Sequence, residues 1–83
     1  MANMTYSIKE DKRIVAQCDS TVLAAHIAAL LTQHSPKIRV VNNIYNRVAF
    51  YSKDGPYTSG LIKAALVESA QRFTEDFNRK YRS

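Results

Sequence analysis

Residues 37–57 bring together four cations, Lys37, Arg39, Arg47 and Lys53, with four aromatic rings, Tyr45, Phe50, Tyr51 and Tyr57. Lysine and arginine neutralise phosphate, and aromatic faces stack unpaired bases, so this mixture is the chemistry of a nucleic-acid surface. Alternation along an extended segment sorts the residues: Val48 and Phe50 share one side, and Arg47, Ala49 and Tyr51 share the other. Phe50 then belongs to a core and Tyr51 stands among the cations. The expected phosphate- and base-contacting set is Lys37, Arg39, Arg47, Tyr51 and Lys53. The same residues also fit a purely structural role, with strand cations guarding a sheet edge and aromatics filling a core. Ile44 and Tyr45 interrupt an asparagine-rich stretch, Asn42-Asn43-Ile44-Tyr45-Asn46. Apolar groups at a loop tip make an anchor for a protein partner, unless they fold back onto the sheet.

Catalysis finds less material. The chain holds no G-x-S-x-G, no C-x-x-C and no phosphate loop with its lysine. Cys18 closes an apolar alternation with Ile14 and Ala16 and reads as a small buried hydrophobe. His26 and His34 sit eight positions apart on one helical stretch, about 80° apart around its axis, too far to share a metal without further ligands. Glu10, Asp11, Glu68, Glu75 and Asp76 each have a basic residue adjacent or at i+4. Gly55-Pro56-Tyr57-Thr58-Ser59-Gly60 leads into a helix start, where free N–H groups attract anions. With no nucleotide-loop lysine following, it reads as a turn and a cap. The expectation is a non-enzymatic protein with no metal site and no cofactor.

These residues must be positioned by 83 residues with formal net charge +5 and pI near 9.6, one domain over 1–83 with one modest core. Residues 37–54 carry four cations against Asp54 alone, the most one-sided part of the chain. A single cysteine excludes an internal disulfide and points to a reducing compartment, the cytoplasm. The longest apolar run, Val22 to Leu31, falls far short of the roughly 20 residues of a membrane span, and the first residues show no secretory signal.

Thr5 to Lys9 and Arg13 to Cys18 alternate around a polar link, the pattern of a β-hairpin. Asp19 or Ser20 caps a helix over 20–34 that Pro36 stops, with Leu23, Ile27, Leu30 and Leu31 as its apolar stripe. Lys37 to Val41 and Arg47 to Ser52 form a second hairpin, its loop at the asparagine cluster because asparagine tolerates left-handed angles. Thr58 or Ser59 caps a final helix over 58–80, with Leu61, Ile62, Ala65, Leu66, Ala70, Phe73, Phe77 and Tyr81 on one face and acid-first pairs Glu68–Arg72, Glu75–Arg79 and Asp76–Lys80 on its surface. The expected core is Ile14, Leu23, Ile27, Leu30, Val40, Val48, Phe50, Ile62, Leu66 and Phe73.

Element order is therefore ββαββα, an α+β domain with a four-stranded antiparallel sheet and two helices on one face. Arg13-Ile14-Val15-Ala16 is echoed by Arg47-Val48-Ala49-Phe50, and Ala28-Ala29-Leu30-Leu31 by Ala64-Ala65-Leu66-Val67, offset by 34 residues in the strands and 36 in the helices. Such an echo implies two ββα units about a pseudo-twofold axis. The expected function is binding: nucleic-acid phosphates through the 37–53 hairpin, or else a protein partner through the 42–46 loop or an exposed face. In the second case the chain acts as an inhibitor or adaptor of the kind bacteria and mobile elements such as phages encode.

Overall fold

Alternating apolar residues do form the first hairpin. In the computed structural model, which describes residues 2–10, 13–34, 36–52 and 60–81 except for the side chains of 42–44 and 60–62, strand β1 (Met4–Ile8) pairs antiparallel with β2 (Ile14–Cys18). Helix α1 (Thr21–His34) follows, then β3 (Ile38–Ile44), β4 (Arg47–Ser52) and α2 (Gly60–Lys80). The strands form one antiparallel sheet in the order β1-β2-β4-β3, so the ββαββα architecture expected from the sequence is the one observed.

The β2–β4 register carries the sequence echo into space. Ile14 opposes Phe50, Val15 opposes Ala49 and Ala16 opposes Val48. An offset of 34 residues turns Val15 into Ala49 and exchanges the other two pairs, so a local twofold axis passes between Val15 and Ala49. The helices break this symmetry. α1 packs on β2, β3 and β4, whereas α2 packs on α1 and β1.

Ser20 is the helix cap, its Oγ accepting from the Leu23 N–H at 3.0 Å. Asp19 serves the sheet instead. Its carboxylate accepts from the Asn3 N–H at 2.9 Å while its own N–H donates to the Asn3 carbonyl at 3.1 Å, tying the start of β1 to the end of β2. The expected caps of α2, Thr58 and Ser59, lie outside the described residues.

Between sheet and helices lies one core of Ile14, Ala16, Cys18, Leu23, Ile27, Leu31, Val48, Phe50, Leu66 and Ala70, with smaller neighbours. Ala24 and Ala28 are buried on α1, and their short side chains let the helix pack closely on its neighbours. The buried stripe of α1 runs through 23, 24, 27, 28 and 31, so Leu31 is fully enclosed and Leu30 is half-buried at the stripe's margin. Val40 and Phe73 are also partly buried, packing at the margin, and the Ile62 side chain lies outside the described set. On α2 the inward face includes Val67 and Thr74, while Ala65 and Tyr81 are exposed. The Thr74 hydroxyl donates to the Ala70 carbonyl at 3.0 Å, which satisfies that buried polar group. Surface pairs form at Glu68–Arg72 (2.9 Å) and Asp76–Lys80 (3.5 Å), but Arg79 reaches Asp76 at 3.0 Å rather than Glu75.

Candidate functional site

Because the helices occupy one side of the sheet, residues of opposite parity face away from them. In β2 these are Val15 and Gln17; in β4 they are Arg47, Ala49 and Tyr51. The Arg39–Tyr51 register pair extends the set onto β3. Ser7, Lys9, Glu10, Arg13, Val15, Gln17, Arg47 and Ala49 line an open groove of about 780 Å³ on this outer face. Among the described residues three cations there meet one carboxylate. Arg47 is oriented by its Nε–H, which donates to Gln17 Oε1 at 3.0 Å and engages one of the five donors of the guanidinium fork.

The sequence-derived set is thus divided. Arg39, Arg47 and Tyr51 share the outer face, Lys37 is exposed in the turn before β3, and Lys53 lies outside the described residues. Lys9 and Arg13 join the face, although sequence reasoning centred on the second hairpin passed over them. The signal was parity: in the first hairpin the core takes Ile14, Ala16 and Cys18, so position 13 and, across the ladder, Ser7 and Lys9 fall on the opposite side.

At the β3–β4 tip, Tyr45 is 83% exposed and has φ 57°, the left-handed region, whereas asparagine was the residue expected to take such angles. Asn46 is committed elsewhere. Its side-chain amide donates to the Cys18 carbonyl at 2.7 Å, and its own carbonyl accepts from the Cys18 N–H at 2.7 Å. The double contact pins the tip to the end of β2 and leaves Tyr45 to make the turn. Ile44 stands opposite Arg47 in the register; its side chain lies outside the described set.

The two histidines are rungs between the helices. His26 Nε2 lies 3.3 Å from Asp76 Oδ2 with its ring edge-on to Phe77, and His34 Nε2 lies 3.2 Å from Ser69 Oγ with its ring edge-on to Phe73. The hydrogen bond from Arg79, reinforced by Lys80, holds the Asp76 carboxyl below its ordinary value. Cys18 is buried, and desolvation, with the neighbouring Asp19 charge second, pushes its thiol up to about 11. Among the described residues no three His, Cys, Asp or Glu side chains are grouped to hold a metal, and no helix is long and apolar enough to cross a membrane. No protein-family model, curated protein or solved structure gives a significant match to this chain.

Proposed function

We infer that the chain binds single-stranded nucleic acid across the outer face of its sheet. The observation that carries this reading is the gathering of Lys9, Arg13, Arg39 and Arg47 on the one sheet face the helices leave uncovered, with Tyr51 beside Arg39. An extended strand laid over such a face sets phosphates against cations and a base against the tyrosine ring. Four phosphate contacts give a log–log salt slope of about −0.7 × 4, or about −2.8. Fluorescence anisotropy with a labelled single-stranded oligonucleotide, titrated over a series of salt concentrations, tests it. Replacing Arg39 and Arg47 by Ala flattens the slope by about 1.4. Absence of binding to DNA and RNA at about 50 mM salt removes the reading.

A second reading rests on Tyr45, a large exposed side chain held at a strained backbone angle by a pinned loop. Strain of this kind gathers at ligand clamps and other functional positions, and a rigid tyrosine anchors protein interfaces. It predicts a protein partner whose affinity falls by about 2 kcal/mol or more with Tyr45→Ala while the melting temperature holds, in a complex that survives nuclease.

A further inference from the structure

The two edges of the sheet are built differently. β3 carries Arg39 and a bulge between Val40 and Asn42, both of which discourage a further strand from pairing. β1 has neither protection. Met4-Thr5-Tyr6-Ser7-Ile8 contains no charge and no proline, and its ladder with β2 runs without interruption. Tyr6 and Ile8 are 45% and 43% exposed on the helix side. Beneath them Tyr6, Lys63, Ala64, Val67, Glu68 and Gln71 line a groove of about 530 Å³ between β1 and α2.

The hydrogen-bond phase of β1 fixes which groups the edge offers. Lys9 N–H donates to the Arg13 carbonyl and the Asn3 carbonyl accepts from Asp19, so odd-numbered residues bond inward to β2. Even-numbered residues therefore direct their backbone N–H and C=O outward. Ala2, the first of these, is already satisfied: its N–H donates to Asn78 Oδ1 and its carbonyl accepts from Asn78 Nδ2, both at 2.8 Å. From Met4 to Ile8 the outward groups at 4, 6 and 8 meet no second strand among the described residues.

We propose that this edge pairs with β1 of a second copy, antiparallel about a twofold axis at Tyr6, to make a continuous eight-stranded sheet. The strand is a palindrome of residue types. Turned about Tyr6, Met4 meets Ile8, Thr5 meets Ser7 and Tyr6 meets itself, so apolar groups face apolar groups and hydroxyls face hydroxyls. The hydrogen-bond phase agrees, because the opposed pairs are the outward-directed residues: three pairs, each exchanging two bonds, give about six. Turning about Thr5 instead would set Ile8 against Ala2, whose groups Asn78 occupies. The net charge of +5 works against self-association in general, but the edge itself is uncharged and, among the described residues, the groove beside it carries one lysine and one glutamate. The assignment is independent of any nucleic-acid binding.

Sedimentation equilibrium of the full chain, from about 1 µM to about 1 mM, tests it. The mass should rise from 9.4 kDa toward twice that value, and Tyr6→Lys, which sets two ammonium groups against each other at the axis, should remain a monomer throughout. Tyr6 is half-exposed, so the variant's melting temperature in dilute solution should stay at the parent value. Tyr6→Cys should form a disulfide-linked dimer on mild oxidation, since directly opposed Cα atoms lie about 5.5 Å apart. Thr5→Cys should not, because its symmetry mate stands beyond about 7 Å. A parent chain of 9.4 kDa at every concentration, a dimer indifferent to Tyr6→Lys, or equal cross-linking at positions 5 and 6 would each overturn the proposal. So would an edge that pairs only with an added peptide of another protein.

Discussion

Asn78→Ala isolates one contact that spans almost the whole chain. The side-chain amide of Asn78 makes two hydrogen bonds to Ala2, donating to its carbonyl and accepting from its N–H, both at 2.8 Å and both partly buried. The amide acts as a short stand-in for a fifth strand, engaging both backbone groups of one edge residue. Each such bond contributes a net of about 0.5–1.5 kcal/mol, so the pair is worth about 1–3 kcal/mol. Water regains access to Ala2 when the amide is removed, which puts the expected loss in the lower half, about 1–2 kcal/mol. With a urea dependence near 1 kcal/mol per molar for so small a domain, the unfolding midpoint should fall by about 1–2 M. Deleting residues 1–2 removes the partner, so in that background Asn78→Ala should cost almost nothing, and the difference between the two backgrounds measures the coupling. An Asn78→Ala variant within about 0.3 kcal/mol of the parent in both backgrounds would falsify the view that the amide fastens β1 to α2.

Three further outcomes are expected. Phe50→Ala should cost about 3–5 kcal/mol, against a total of roughly 4–12 kcal/mol for a chain of this size, and Phe73→Ala clearly less, because Phe50 is fully enclosed while Phe73 packs at the core margin; equal losses in thermal melts would contradict the assignment. Burial penalises the Cys18 thiolate, so the unfolded chain ionises first as pH rises; stability should hold below about pH 9 and decline by about 2–3 kcal/mol by about pH 11, an alkaline loss that Cys18→Ala lacks in paired urea titrations. Tyr45→Gly should raise stability by about 0.5–1 kcal/mol, because a left-handed backbone angle is costly for tyrosine and free for glycine and the ring packs on little; a lower melting temperature would show that the tip is not strained.

Much of this fold was legible because its signals are local. Alternation at Ile14, Ala16 and Cys18 fixed the inward side of β2, and Ser20 before an apolar stripe marked the start of α1. What escaped depended on distance. Nothing near Asn46 in the sequence shows that its amide will be needed by Cys18, 28 residues earlier, so the left-handed angle fell on Tyr45 against the usual preference. Asp19 resembles a cap in the sequence because its competing partner, Asn3, lies 16 residues earlier, just before β1. The outer face was only half foreseen for the same reason: Lys9 and Arg13 join Arg47 only once β2 is known to lie beside β4.

The local twofold through Val15 and Ala49 accounts for the character of both sheet faces. Rotation about it exchanges Arg13 with Arg47, so whatever places one arginine on the outer side places the other there too, on opposite flanks of two small or branched side chains. A sheet doubled in this way acquires paired cations without any separate requirement for them. The helices do not obey the rotation, because α1 packs on β2, β3 and β4 whereas α2 reaches the sheet mainly at β1. Two edges that the strand symmetry alone would make equivalent therefore differ. One is bulged and carries Arg39, while the other is smooth and uncharged from Met4 to Ile8 and is fastened at Ala2 by Asn78. If β1 joins a second copy, the outer faces of the two sheets become continuous across that edge, with Lys9 on each side of the new axis. Phosphate contacts and chain pairing would then be read out by different residues, Arg39 and Arg47 for the first and Tyr6 for the second. Tyr6→Lys should accordingly abolish the dimer while each chain keeps its own affinity for an oligonucleotide short enough to contact one sheet. Loss of that short-strand affinity in Tyr6→Lys would show that the two surfaces are not separate.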